Sequence, residues 1–120
     1  MATKLKLGKL SKWAHLGCTN GFCAYSADCW ADKDNRFHFV VEGKGSKWRA
    51  DCEAIVHGTQ SYLNYSMMGT TLGDMEVEIG ELVDFLRWQY AHGVDAIAFK
   101  DARYRGSADW TIQSGCQRWS

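Results

Sequence analysis

Within fifteen residues the chain places His15, Cys18, Cys23 and Cys29, one imidazole and three thiols. Imidazole nitrogen and thiolate sulfur are the donors that zinc and other thiophilic cations take up. The spacing, H-x2-C-x4-C-x5-C, has no C-x-x-C knuckle, and the second ligand pair of a structural zinc site is missing. With Cys52 and Cys116 the cysteines number five, an odd count that argues against a complete disulfide framework. The expectation is thiols, buried or half-buried, and no metal.

Other chemistry finds no complete motif. There is no G-x-S-x-G elbow, no P-loop and no G-x-G-x-x-G. His15, His38, His57 and His92 are scattered, and each reads as a surface or capping group rather than an acid–base catalyst. His38 lies in Phe37-His38-Phe39-Val40-Val41, where alternation turns it away from the phenylalanines. The acids Asp28/Asp32 and Glu76/Glu78/Glu81 fit solvated helix faces better than a general acid–base pair.

Paired cations and aromatics are the more distinctive feature. Four of the six tryptophans directly follow a basic residue: Lys12-Trp13, Lys47-Trp48, Arg87-Trp88 and Arg118-Trp119. Such pairs suit surfaces that bind anions, nucleic acid or a protein groove, and alternation on a half-buried element also produces them. Residues 8–13 (G-K-L-S-K-W) and 43–48 (G-K-G-S-K-W) repeat one hexapeptide, read as a helix-entry signal used twice with Ser11 and Ser46 as caps. Arg87-Trp88 belongs to an amphipathic helix, and Arg118-Trp119, beside the last residue, is expected to anchor a partner. The candidate partner-binding set is Lys12, Lys47, Arg103, Tyr104, Arg105, Arg118 and Trp119.

The net charge of zero conceals an asymmetry. Residues 1–50 carry nine Lys/Arg against four Asp/Glu, residues 51–101 two against nine, and residues 102–120 three against one. Such a chain either presents a basic and an acidic face, or folds so that its segments interleave and the field cancels. The pI near 6.9 argues against tight non-specific nucleic-acid binding.

The elements that must position these residues read as α+β: a small mixed or mostly antiparallel sheet against one long helix and two or three short helices, in a single domain over 1–120. The long helix spans about Asp74 to His92. Met75, Ile79, Leu82, Val83, Leu86 and Tyr90 form its stripe, Phe85 and Trp88 broaden that face, and Gly93 ends it. Short helices are expected at Ala27–Asp32, capped by Ser26, and from Ser46 through His57. Strands are expected at 21–25, 37–41, 62–68, 94–99 and 110–114, with a charged loop at 100–109.

One family resemblance follows from two of these stretches. Gly93-Val94-Asp95-Ala96-Ile97-Ala98-Phe99-Lys100-Asp101, then Ser107-Ala108-Asp109-Trp110-Thr111-Ile112, resembles the closing strands of small ADP-ribosyltransferase-like domains. Asn20-Gly21-Phe22-Cys23-Ala24-Tyr25-Ser26-Ala27-Asp28 is similar to the strand-turn-helix lining their NAD pocket. The resemblance implies NAD as cofactor, Tyr25, Ser26 and Asp109 as pocket residues, and Asp109 or Asp101 where the family has its catalytic glutamate. The family's opening strand ends in His-Gly or Arg, where this chain has Leu5-Lys6-Leu7-Gly8. The fold thus carries over more readily than the activity.

The leading expectation is a small non-catalytic binding or inhibitor protein, without cofactor, that engages a protein or nucleoprotein partner. Such single-domain proteins include the host-directed factors of phages and mobile elements. The alternatives are an ADP-ribosyltransferase-like enzyme and a single-stranded nucleic-acid binder. No apolar run approaches a bilayer span, and residues 1–7 lack a continuous apolar core, so the cytoplasm is the expected compartment.

Overall fold

The computed structural model describes residues 5–68, 71–93 and 111–113, with side chains described through Tyr62 and from Thr71 to Gly93. The architecture is α+β. Strands β1 (Ala14–Thr19), β2 (Phe22–Asp32), β3 (Asn35–Lys44), β4 (Lys47–Val56) and β5 (Thr59–Met68) form an antiparallel meander, and β6 (Thr111–Gln113) pairs with β5. Helix α1 (Leu72–Ala91) packs across β3 and β4.

Tight turns set the meander. Asn20 and Gly21 both take positive φ (53° and 82°), as a two-residue type I′ hairpin requires, and the pair Asn-Gly adopts this with least strain. His57-Gly58 does the same between β4 and β5 (50° and 81°). Residues 43–48 are a hairpin too: Gly43 pairs with Trp48, and the turn is Gly45-Ser46. A Cβ on Gly43 would overlap the Lys47 carbonyl and fall 2.7 Å from Trp48 Cα, so only glycine lets the strands approach here.

One face of the sheet holds the core. Phe37, Phe39 and Val41 of β3 and Trp48, Ala50, Cys52 and Ala54 of β4 are buried against Met75, Ile79, Leu82, Val83, Leu86 and Tyr90. The small side chains of β4 make room for the helix beside the phenylalanines of β3. Fully burying one large apolar side chain contributes about 1.5–3 kcal/mol, and this layer does so for most of the helical stripe. The helix opens on a capping box: Thr71 Oγ1 accepts from Asp74 N (3.2 Å), and Asp74 Oδ2 accepts from Thr71 N (3.1 Å).

Several expectations are corrected. Among the described residues α1 is the one helix; the short helices at Ala27–Asp32 and Ser46–His57 are strand in β2 and β4. The Ser46 segment invites the error because Trp48, Cys52, Ile55 and Val56 fall at helical spacing. The buried set is Trp48, Ala50, Cys52 and Ala54, a period of two whose alanines do not stand out as apolar markers. The two copies of the hexapeptide therefore do not share a structure. Residues 8–11 run beside β2, with Gly8 N donating to Trp30 O (3.0 Å) and Ser11 N to Asp28 O (2.8 Å). Ser11 Oγ caps no helix but accepts from Asp28 N (2.8 Å). Trp88 is exposed rather than packed on the sheet, beside Phe85 and His92.

Candidate partner-binding face

The sheet's second face, opposite α1, carries the even-numbered residues of β2 and β3, the odd-numbered ones of β4, and Gln60 and Tyr62 of β5. Its residues lie in rows across the strands. One row pairs Asp28 with His38 and His38 with Glu53; another pairs Glu42 with Arg49; a third pairs Trp30 with Arg36. His38 Nδ1 lies 2.7 Å from Asp28 Oδ1. Arg49 bridges Glu42 (Nε to Oε1, 3.0 Å) and Asp51 (Nη2 to Oδ2, 2.7 Å), and the Asp51 hydrogen bond raises its pKa further. Glu53 Oε2 accepts from Gln60 Nε2 at 2.8 Å and from Tyr62 Oη at 3.4 Å.

Two aromatic residues stand out on this face. Phe22 is 49% exposed at one end, and Trp30 is 55% exposed at the other. Trp30 has a cation over its ring. The Arg36 guanidinium lies 5.7 Å from the Trp30 ring centroid, a cation–π contact. Phe22 closes the Asn20-Gly21 turn, over which the aliphatic stem of Lys44 lies, its Cε 3.1 Å from where a Gly21 Cβ would stand. Lys44 pairs in register with Lys47. Among the described residues neither lysine, nor Lys12, forms an ion pair with a carboxylate.

The basic–Trp pairs now separate by geometry. Lys47 points to solvent while Trp48 turns into the core, its Nε1 donating to Gly45 O (2.9 Å). Lys12 is likewise exposed beside a half-buried Trp13. Arg87-Trp88 is reversed: Arg87 Nε donates to Leu7 O (3.0 Å) and ties the N-terminal segment to the helix, while Trp88 faces outward. Arg103, Tyr104, Arg105, Asp109, Arg118 and Trp119 lie outside the described residues, as do the segments 94–99 and 100–109. Tyr25 and Ser26 are neighbours on one continuous strand and project to opposite faces, so β2 does not bring them into one pocket. Tyr25 faces the helix side against Trp48 and His15, and Ser26 is buried on the other side.

The thiol expectation is also corrected. Cys18 and Cys23, directly opposed next to the turn, form a disulfide. Cys29 and Cys52 are free and buried. Burial pushes the Cys29 thiol up to about 12, and Cys52 well above its ordinary value. Both are therefore inert core residues rather than nucleophiles. Phe22 and Trp30 were missed in the sequence because neither follows a basic residue; the usable signal was the period-two alternation of β2.

No protein-family model matches the chain, and no curated protein or solved structure matches it. No helix among the described residues is long and apolar enough to cross a membrane.

Proposed function

We propose that this protein is a small non-catalytic binding domain that engages a protein partner through the sheet face opposite α1. The observation that carries the reading is the exposure of Phe22 and Trp30 on that face, with the Arg36 guanidinium over the Trp30 ring. Aromatic side chains and arginine supply most hot spots of protein interfaces. Interleaved carboxylates distinguish a protein partner from nucleic acid. Asp28, Glu42, Asp51 and Glu53 share the face with Arg36, His38 and Arg49, and these four carboxylates would repel a phosphate backbone where a stacking platform needs a basic groove.

The face thus offers aromatic anchors at both ends and a charged middle in which carboxylates outnumber guanidinium groups. Lys44 and Lys47 bias one end toward an acidic patch on the partner. The test compares wild type with a Phe22→Ser/Trp30→Ser variant in quantitative affinity capture from the native source, alongside oligonucleotide titration. The reading expects a protein retained by wild type and lost by the variant, with the melting temperature nearly unchanged and no oligonucleotide binding. An unchanged capture profile, or steeply salt-dependent oligonucleotide binding, contradicts it.

A further inference from the structure

We infer that the β1–β2 hairpin, once its disulfide is reduced, is a binding site for a thiophilic d10 cation, Zn2+ or Cu+. The ligands are His15 Nε2, Cys18 Sγ and Cys23 Sγ, whose donor atoms all lie within 4.8 Å of one another. His15 Nε2 is 3.1 Å from Cys18 Sγ. Metal–sulfur bonds of about 2.3 Å and a metal–nitrogen bond of about 2.0 Å require the two sulfurs, bonded to one another in the disulfide, to swing apart after reduction by rotation of their side chains.

A β-bulge creates the arrangement. His15 and Cys18 are three apart, so on a regular strand they would point to opposite faces. The pairing of β1 with β2 shifts between His15 and Gly17: His15 opposes Tyr25, yet Gly17 opposes Ala24. The extra residue, Leu16, reverses the phase and brings His15 onto the side of Cys18 and Cys23. Gly17 takes φ 140° at the bulge. Tyr25 packs its ring 4.9 Å from that of His15 and steadies the imidazole. Cys29, the fourth candidate in the sequence, is buried and donates its thiol toward Gly8 O, so it is no ligand.

Three protein ligands leave one position open. Zn2+ would complete a tetrahedron with water, whereas Cu+ is satisfied by soft thiolates in a lower coordination number. Loading requires a thiol reductant. Two reductant thiols (RSH) reduce the Cys18–Cys23 disulfide to two cysteine thiols and leave as RSSR. The two cysteine thiols then lose their protons to solvent as their sulfurs bind the metal. Disulfide and metal are mutually exclusive states of one hairpin, which makes the site redox-gated. It stands independently of the protein-binding reading.

The test titrates full-length protein, reduced with a phosphine that is then removed, with Zn2+ against a chromophoric chelator and, separately, with Cu+ against a bidentate Cu+ chelator. Co2+ serves as a spectroscopic probe of thiolate ligation. The inference expects one cation per reduced chain, thiolate-to-Co2+ charge-transfer absorption and loss of binding on reoxidation. Cys18→Ser should abolish binding, His15→Ala, which removes a direct ligand, should weaken it by more than the roughly 10- to 100-fold typical of losing a partner that only supports a ligand, and Cys29→Ser should leave it unchanged. The stronger arm identifies the cation. Equal binding by wild type and Cys18→Ser, or binding by the oxidised protein, overturns the inference. Circular dichroism of each variant separates ligand loss from unfolding.

Discussion

Tyr90, in the last turn of α1, donates its hydroxyl to Asn35 Oδ1 at 2.9 Å across 55 residues of sequence. Asn35 is buried at the start of β3, and the same oxygen accepts from His57 N (3.0 Å) in the β4–β5 turn. Its Nδ2 donates to Asp32 Oδ1 (3.1 Å), which also accepts from Asp34 N (2.8 Å). One amide therefore joins two hairpin turns and the helix end. Asn35→Leu should cost about 2–4 kcal/mol, because it strands two donors, whereas Tyr90→Phe should cost only about 1 kcal/mol. Urea unfolding of the two variants checks the order; equal losses would remove Asn35 from the centre of the network.

The same residues set the response to alkali. Burial raises the pKa of Tyr90 above its ordinary value, as it does for Cys29 and Cys52. Each group binds its proton more tightly folded than unfolded. Their contribution is complete below the unfolded values, near 9 for the thiols and 10 for the phenol, and is lost as pH rises through the folded ones. Stability should thus fall above about pH 9, and Cys29→Ala/Cys52→Ala should flatten that fall while lowering stability at neutral pH. Denaturation midpoints from pH 7 to 11 test both.

Asp32 has the opposite sign. Hydrogen bonds, first from the Asn35 side chain and then from the Asp34 backbone, hold its carboxyl below the usual range. Its contribution is present above the unfolded value and is lost as pH falls through the folded one. NMR titration should show Asp32 protonating below free aspartate, and Asn35→Leu should return it toward the ordinary value.

Gly43 is a steric requirement. Gly43→Ala places a methyl group against Lys47 and Trp48, and should cost about 1–3 kcal/mol, while Gly45→Ala, with open space around its Cβ but φ 63°, should cost less. Thermal melts of both rank them. A neutral Gly43→Ala would contradict the close approach of β3 and β4.

Arg87 pins the N-terminal segment through Leu7 O, and Leu7 itself is buried in the core. Arg87→Ala should raise amide exchange across residues 7–11 before it affects β3 and β4. Uniform acceleration over the sheet would instead make the contact part of the global core.

The sequence exposed long periodicities and concealed short ones. The stripe from Met75 to Tyr90 spans four turns, so helix α1 was legible to within two residues at its start. There the cap is Thr71 and Asp74 takes the N3 position. Strand β3 was legible because Phe37, Phe39 and Val41 recur at a period of two. Strand β4 was not, because its inward positions include two alanines and its remaining apolar residues imitate a helix. For the site, Lys47 beside the buried Trp48 follows the strand alternation weighed for these pairs and not the helix entry expected of them. The His15–Cys18–Cys23 cluster could not be assembled, since only a bulge puts His15 and Cys18 on one face. Phe22 and Trp30 share a face through strand parity, a signal available only once 22–32 is known to be one strand.

The most direct measurement of the protein-binding claim is site-specific photo-crosslinking in the native source. A photoreactive phenylalanine analogue is placed at Phe22, at Trp30 or, as a control of similar exposure on the helix, at Trp88. The account predicts one shared protein adduct from positions 22 and 30 and none from 88. Adducts from 88 alone, or from none of the three, would contradict a binding face opposite α1.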